Sequence, residues 1–238
     1  MISVSLNQQI ERWLTSRKKS FIYDNRPFIT LAYAQSWDGS ITTRQGEALA
    51  LSSKNSIRLT HQLRSLHDGI LVGIETVLAD DPQLTVREWQ GENPQPIVLD
   101  SLLRMPDTAR LCQHPDKRCW ILTTRSTSRE MQDHTEVMTM ECDDEERVPL
   151  ESALELLLNK GIRSLMVEGG ATVITAFLEA QLVDAVVLTI APRFVGGYKA
   201  VGKLENVPSK NLPRINPVYA EKLNNDLIVW GDLQYGGK

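Results

Sequence analysis

The chain has 238 residues, 42% of them hydrophobic and 24% charged, which predicts one large α/β domain with enough apolar material for a sizeable core. A formal net charge of −4 argues against non-specific nucleic-acid binding, and the lack of a long apolar run argues against a signal peptide or membrane span. Three cysteines without a C-x-x-C pair and four histidines without a zinc motif predict a cytoplasmic protein that holds no metal.

The first predicted elements are a helix and a strand. The helix, over residues 6–19, follows from apolar residues at helical spacing, Leu6, Ile10, Trp13 and Leu14. We expect it to form an N-terminal extension, residues 1–24, ahead of a main domain of residues 25–238. A polar break at residues 24–27 separates it from the first buried strand, residues 28–34.

A second helix and three short strands are predicted next. Ser52 or Ser53 is expected to cap a helix that ends near His67, with four residues facing the core, Ile57, Leu59, Leu63 and Leu66. Short apolar runs typical of buried parallel strands follow at residues 69–73, 95–100 and 119–124. The polar segment 126–147 is predicted to be mostly loop, with one short strand near residues 137–140.

The second half alternates helices and strands. Four elements are predicted in order, a helix at 150–159, a strand at 164–167, a helix at 171–180 and a strand at 185–190. Gly161 is expected to stop the first of these helices. An irregular segment, 192–217, precedes a final strand or hairpin of residues 227–230 and 233–235. The alternation predicts an α/β sandwich around a largely parallel sheet.

A glycine pair follows one of these strands. Residues 167–172, V-E-G-G-A-T, run from a strand through two glycines into a helix. Glycines let a phosphate approach the backbone, and a helix N-terminus offers unpaired N–H groups. Since Glu168 lies at the carboxyl end of its strand, where open α/β sheets bind ligands, a phosphate site is predicted there. A tight turn without a ligand is the alternative, because the pattern is not G-x-G-x-x-G.

A second candidate site follows the strand at residues 69–73. The segment from Thr76 to Arg87 begins at the same edge of the sheet and brings Asp80 with it. Arg64, at the end of the preceding helix, is expected to converge with Arg87 on one anion, because guanidinium groups bind phosphate through paired hydrogen bonds. The alternative is two solvated surface arginines beside a turn capped by carboxylates.

Taken together, these motifs resemble the pyrimidine reductase family of riboflavin biosynthesis. The resemblance spans most of residues 26–235 and rests on R-P-F-I-T-L at 26–31, A-Q-S-W-D-G at 34–39, G-I-L-V-G-I-E-T-V-L-A-D-D-P-Q-L-T-V-R at 69–87, P-I-V-L-D-S at 96–101, V-E-G-G at 167–170 and A-P-R-F-V-G-G at 191–197. It implies a dihydrofolate-reductase-like three-layer sandwich with a largely parallel central sheet and an antiparallel C-terminal edge.

The resemblance also implies an oxidoreductase that uses NADPH to reduce the ribosyl group of 5-amino-6-(5-phosphoribosylamino)uracil to a ribityl chain. It puts NADPH against Ala34, Thr76, Asp80, Ser101, Gly170, Ala171, Thr172, Val173, Ile174, Thr175 and Ala176. It puts the phosphorylated ribosylaminopyrimidine substrate against Arg64, Leu84, Arg87 and Glu168. We expect Asp80 and Glu168 to be catalytic, with Asp80 orienting the nicotinamide and substrate. Family relatives are dimers, so a homodimer is expected.

Three positions depart from the family pattern. Ala48 replaces a serine that binds the substrate phosphate, Ala50 replaces a tryptophan near the cofactor, and Ser40 stands where Lys or Arg is frequent. Two alternatives therefore stay open. One is a reductase of the same fold for another pyrimidine- or pterin-like substrate, including 2,5-diamino-6-ribosylamino-pyrimidinone phosphate. The other is a catalytically silent nucleotide-binding homologue, which the retained carboxylates and arginines argue against.

Overall fold

The computed structural model of the chain describes residues 4–126, 134–205 and 207–236. Its helices are α1 (Leu6–Ser20), α2 (Lys54–Ser65), α3 (Ile74–Asp80), α4 (Leu150–Asn159) and α5 (Ala171–Glu179). Its strands are β1 (Phe28–Ser36), β2 (Ser40–Thr42), β3 (Gly69–Gly73), β4 (Gln95–Leu99), β5 (Cys119–Thr123), β6 (Thr135–Thr139), β7 (Ser164–Val167), β8 (Ala185–Ala191), β9 (Tyr198–Lys199), β10 (Arg214–Leu223) and β11 (Asp226–Gln234).

A nine-stranded sheet forms the middle layer, in the order β10-β11-β8-β1-β7-β3-β4-β5-β6, and β2 pairs with β9 separately. Every neighbouring pair from β8 to β6 is parallel. Only the C-terminal edge, where β8 meets β11 and β11 meets β10, is antiparallel. The predicted fold class, a three-layer α/β sandwich with a largely parallel sheet and an antiparallel C-terminal edge, is therefore confirmed.

Strand alternation sends side chains into two hydrophobic cores. In β3, Ile70 and Val72 join a cluster with α1 and α2, whereas Leu71 joins a second cluster with α4 and α5. All three side chains are buried. Because helices cover both faces, the central strands are continuous apolar runs, which is why their sequence pattern identifies them.

Helix α1 packs into the first of these cores. Ser5 begins it with a capping box to Gln8, and its apolar face is buried through Leu6, Ile10 and Leu14. On β11, Asp232 accepts a hydrogen bond from Trp13 Nε1 and forms an ion pair with Arg17. The predicted division between an N-terminal extension, residues 1–24, and a main domain stays a prediction. Helix α1 packs in a hydrophobic core that it shares with the rest of the chain.

Most predicted elements are confirmed, some with shifted ends. The bounds of α4 and β7 are those predicted, and Ser53 caps α2 by accepting a hydrogen bond from the Ser56 N–H. After α4, Gly161 adopts a φ of 94°, a left-handed conformation that glycine takes without strain. Within the polar segment 126–147, residues 127–133 lie outside the described part of the chain.

The sequence pattern misses α3, β2, β9 and β10. The last two lie wholly or partly in the segment predicted to be irregular; β10 is an edge strand, mostly exposed, so no hydrophobic alternation marks it. Its partner β11 is one continuous strand, so of the two predicted alternatives the final strand forms, and the hairpin lies instead between β10 and β11. Ile57, predicted to face the core, is 41% exposed and lines a cleft instead.

Two features are absent from the described residues. No helix among them has both the length and the apolar character to cross a bilayer. Within the same ranges, no three His, Cys, Asp or Glu side chains cluster in a way that would hold a metal ion.

Candidate active site

A cleft of about 1180 Å³ opens at the carboxyl ends of the central parallel strands. Strand β7 lies between β1 and β3, so the chain changes direction across the sheet at this point. Such a switch point leaves a crevice beyond the strand ends, where α/β proteins bind ligands. The segments that follow β3, β4 and β7 therefore meet in one place.

Most of the predicted site residues line this cleft. They are Ala34, Arg64, Thr76, Asp80, Leu84, Arg87, Ser101, Glu168, Gly170, Ala171, Thr172, Val173 and Ala176. Two predicted cofactor residues do not. Ile174 is fully buried in the core, and the Thr175 hydroxyl bonds to the Ala171 carbonyl at 2.6 Å and accepts the Gly202 N–H at 2.8 Å. Helical periodicity turns these two side chains away from the cleft.

The N-terminus of α5 faces the cleft without a side-chain cap. Gly170 is the N-cap residue and provides no side-chain acceptor for the first N–H groups of the helix. A Cβ on Gly169 would lie 2.8 Å from Val173 Cβ, and one on Gly73 would lie 2.7 Å from Val173 Cγ2. Only glycine lets both strand ends approach the helix this closely, which leaves bare backbone N–H groups suited to an anionic group.

The Ser101 side of the cleft is fixed by hydrogen bonds. The Ser101 carbonyl accepts hydrogen bonds from the hydroxyls of Thr123 and Thr124. The Ser101 hydroxyl accepts one from the Val148 N–H at 3.1 Å. The segment at residues 143–149 therefore borders this end of the cleft. Arg125, close to this segment, is not among the lining residues and lies 3.6 Å from Glu146.

Arg64 and Glu168 form a bidentate ion pair in the wall of the cleft. Arg64 Nε lies 2.9 Å from Glu168 Oε2, and Arg64 NH2 lies 2.6 Å from Glu168 Oε1. A third bond runs from Arg64 NH1 to the Thr85 carbonyl at 3.0 Å, and the Arg64 side chain is only 9% exposed. Two residues predicted as separate substrate ligands thus act as one rigid unit, a pairing that the sequence does not indicate.

Arg87 presents its charge more openly beside this pair. Its NH1 donates to Thr85 Oγ1 at 2.6 Å, while the side chain stays exposed. Burial of part of the group, with Arg64 and Arg110 nearby, lowers the pKa of Arg87. The neighbouring arginines make this wall suited to an anion, while the convergence of Arg64 and Arg87 on one anion stays a prediction.

Leu84 lies in the same wall in an uncommon conformation. Its φ is 54°, in the left-handed region that non-glycine residues seldom occupy, and its side chain is buried. Leu84 lines the cleft and also belongs to the hydrophobic core beneath it. Backbone outliers of this kind cluster at functional sites.

His61 was not predicted as a site residue, yet it lines the cleft between the arginines. Its Nδ1 accepts the backbone N–H of Arg87 at 2.9 Å. Burial, with Arg64 and Arg87 nearby, lowers the pKa of His61 to about 4, so the ring is neutral at physiological pH. Its position three residues before Arg64, on the same face of α2, is the sequence signal that would have identified it.

Asp80 ends α3 at the rim of the cleft. Partial burial, followed by the negative charge of Glu168, raises the pKa of Asp80 above its ordinary value. A carboxyl group with a raised pKa holds its proton at higher pH than a solvated one, and such groups concentrate at catalytic sites. Its neighbour Asp81 instead accepts the Arg110 backbone N–H at 2.8 Å, away from the cleft.

The three departures from the family pattern have different surroundings. Ala48 and Ala50 are exposed and do not line the cleft, although the segment that carries them forms one wall. Ser40 bonds to Asp38, and Lys199 brings its Nζ to 2.8 Å from Asp38 Oδ2 and 3.2 Å from Ser40 Oγ. Lys199 thus places a cation beside Ser40.

Known proteins are similar to this chain over most of its length. The RibD C-terminal domain family matches residues 27–229. A 2,5-diamino-6-ribosylamino-4(3H)-pyrimidinone 5′-phosphate reductase of Archaeoglobus fulgidus is 36% identical over 182 residues, 72% of this chain and 83% of that protein. The riboflavin biosynthesis protein RibD of Aquifex aeolicus is 29% identical over 96% of this chain, which spans 64% of that longer protein.

A solved structure agrees in fold. The riboflavin biosynthesis reductase Rib7 of Saccharomyces cerevisiae superposes with a TM-score of 0.77 at 28% identity, covering 96% of this chain and 99% of that one. The residues that line the cleft all lie within the range that the family matches, 27–229. The chain therefore belongs to the RibD C-terminal domain family.

Proposed function

We propose that this chain is an NADPH-dependent pyrimidine reductase of riboflavin biosynthesis. It reduces the ribosyl group of 5-amino-6-(5-phosphoribosylamino)uracil to the ribityl form, in the cytoplasm and as a homodimer. The observation that carries the proposal is a single cleft with two anion-binding ends. One is the uncapped start of α5 at Gly170, and the other is the positive wall around Arg64 and Arg87.

The cofactor end fits a dinucleotide. The backbone N–H groups that follow Gly170 would hold the pyrophosphate, while Thr76, Ser101 and Ala34 line the remaining surface. Bound NADPH supplies the hydride, and the protein supplies orientation and charge. The close approach of Gly73 and Gly169 to Val173 keeps this surface free of side chains where phosphates would lie.

The substrate end fits a sugar phosphate joined to a pyrimidine. The open-chain form of the ribosylamine has a C1′=N imine, which accepts a hydride at C1′ and a proton at nitrogen to give the ribitylamine. Arg87 and Arg64 would fix the 5′-phosphate, and Glu168 would accept hydrogen bonds from the polar atoms of the substrate. Asp80, whose pKa is raised, is the carboxyl group best suited to orient the reacting atoms or deliver the proton.

The 2,5-diamino-pyrimidinone analogue is the second candidate substrate. The 36%-identical archaeal relative is named for it, and it carries the same ribosylamino phosphate group. The two pyrimidines differ on the ring and not at the reacting carbon, so either would present the same imine and phosphate to Glu168 and Arg87. Competition between the two substrates in one assay would rank them.

The function is tested with the full-length protein. We expect NADPH to be consumed when the phosphorylated ribosylaminouracil is added and to remain stable without it. We also expect the gene to restore growth to a riboflavin auxotroph that lacks its reductase. A protein that binds NADPH but neither reduces the substrate nor restores growth would instead be the silent homologue. Intrinsic tryptophan fluorescence reports that binding independently of turnover.

Asp80→Asn tests the proposed catalytic carboxyl. Removing the titratable group while keeping its shape is expected to lower kcat by about tenfold or more, since general acid–base groups contribute at least that much. Asp81→Asn is the matched control, because Asp81 lies outside the cleft and the amide keeps an acceptor for Arg110. Wild-type turnover by Asp80→Asn would remove Asp80 from the mechanism.

Gly170→Ala tests the cofactor end without disturbing the fold. An added Cβ meets only Thr76 Oγ1, at 3.4 Å, so we expect a stability loss of no more than about 1 kcal/mol. The methyl group would occupy the space next to the pyrophosphate and raise the Kd for NADPH by about tenfold or more, measured by tryptophan fluorescence. Binding of ribose 5-phosphate at the other end is the control. An unchanged Kd would show that Gly170 serves the turn alone.

A further inference from the structure

His61 differs from His67, another of the buried histidines. In His67, Nδ1 lies 2.6 Å from the Leu63 carbonyl and Nε2 lies 2.8 Å from Thr30 Oγ1, so both nitrogens are used within the fold. In His61, Nδ1 accepts from the Arg87 N–H, and no described residue hydrogen-bonds to Nε2. The ring is only 3% exposed, and it lies in the wall of the cleft.

The bond to Arg87 fixes the tautomer of the ring. A backbone N–H can only donate, so Nδ1 must be the acceptor, and the single proton of the neutral ring must then lie on Nε2. The neutral form is favoured because burial and two neighbouring arginines lower the pKa of His61 to about 4. The neutral ring of His61 therefore carries one N–H donor, on Nε2, in a residue that lines the cleft.

The charges around His61 favour an anion as the acceptor. The groups that act on the ring are Arg64 on α2, Arg87 and Glu88 on the segment after α3, and Glu168 after β7. Glu168 is already engaged by Arg64 through both of its oxygens, and of the two exposed groups that remain, Arg87 acts on the ring more strongly than Glu88. A phosphate bound there would contact the arginine and the imidazole together.

We propose that His61 donates its Nε2–H to the 5′-phosphate of the substrate and so acts as a specificity residue for phosphorylated sugars. The inference rests on the proposed function, because it assumes that a sugar phosphate enters this end of the cleft. The hydrogen bond from the Arg87 backbone N–H supports this role because it keeps the ring proton on Nε2. Arg87 and His61 then bind the same phosphate, Arg87 with a positive charge and His61 with a neutral N–H donor.

Two amide substitutions separate this role from a structural one. The shorter amide of His61→Asn would lie near the former Nδ1 and keep an acceptor for the Arg87 N–H, but the distal donor would be lost. The longer amide of His61→Gln reaches the former Nε2 position and keeps that donor, but loses the proximal acceptor. We expect His61→Asn to raise KM for the phosphorylated substrate about tenfold with kcat nearly unchanged, and His61→Gln to stay within about threefold of wild type.

A binding measurement gives a readout that does not depend on turnover. Calorimetry with ribose 5-phosphate and with ribose measures how much the phosphate adds to binding. We expect His61→Asn to lose most of that difference and His61→Gln to keep it. His134→Asn, at an exposed position outside the cleft, is the control and should match wild type.

Histidine NMR of the wild-type protein covers the case in which a variant fails to fold. Ribose 5-phosphate should raise the pKa of His61, because a nearby dianion stabilises the charged imidazolium, while His67 and His134 stay unchanged. The inference is overturned if ribose 5-phosphate leaves the His61 resonances unmoved, or if His61→Gln is impaired and His61→Asn is not. If the phosphate-dependent binding is found but the wild type does not reduce the pyrimidine, the proposed function fails and the phosphate contact stands.

Discussion

Replacing Glu168 with alanine is expected to destabilise the protein by about 3 kcal/mol and to lower kcat/KM by about 100-fold or more. The buried partner is Arg64, whose side chain is 9% exposed and would lose two of its hydrogen bonds. Breaking such a pair leaves an uncompensated charge in the protein interior, which costs far more than losing a surface pair. We expect a loss of stability at the lower end of the range usual for buried ion pairs, because Glu168 itself is 24% exposed.

Urea unfolding and steady-state kinetics measure the two effects. Glu205→Ala is the control, because it removes an ion pair with Lys203 in which both side chains are exposed, and should change stability by less than about 1 kcal/mol. Combining Glu168→Leu with Arg64→Met should restore much of the stability but not the activity, because no charge is then left unpaired. A stability loss in Glu168→Ala no larger than that in Glu205→Ala would contradict the buried ion pair.

The predictable parts of the fold are the strands that are buried on both faces and the helices whose apolar residues follow the helical period. Strands β3 and β7 were found because they are short apolar runs, and α4 because its apolar residues follow the helical period. Strand β10 is held by pairing with β11 at an exposed edge, so its own residues carry little pattern. Helix α3 has only seven residues, too few for a periodic signal.

The sequence predicts at which edge of the sheet the candidate site lies, but not how its charged groups pair. Because parallel strands end together, the segments containing Asp80 and Glu168 had to meet, and they do. Sequence spacing does not indicate which charged groups pair, so the bond between Arg64 and Glu168 was missed. His61 belongs to no metal-binding motif, and its spacing from Arg64 is the one feature of the sequence that marks it.

Arg87→Met is expected to raise KM for the phosphorylated substrate about 100-fold, with kcat changed much less. Two charge-assisted hydrogen bonds to a phosphate contribute about 3 kcal/mol together, which corresponds to that factor. Stability should change little, because the side chain is exposed. Arg58→Met is the matched control: Arg58 is also exposed and lies over the Trp89 ring at 5.0 Å, outside the cleft.

The substrate that lacks its 5′-phosphate separates phosphate binding from other effects of this change. If Arg87 binds the phosphate, wild type and Arg87→Met should reduce the dephosphorylated compound equally slowly. Arg58→Met should behave as wild type with both compounds. A loss of equal size with both compounds would instead mean that Arg87 acts on the cofactor or on the shape of the cleft. The phosphate site would then have to lie elsewhere in the cleft.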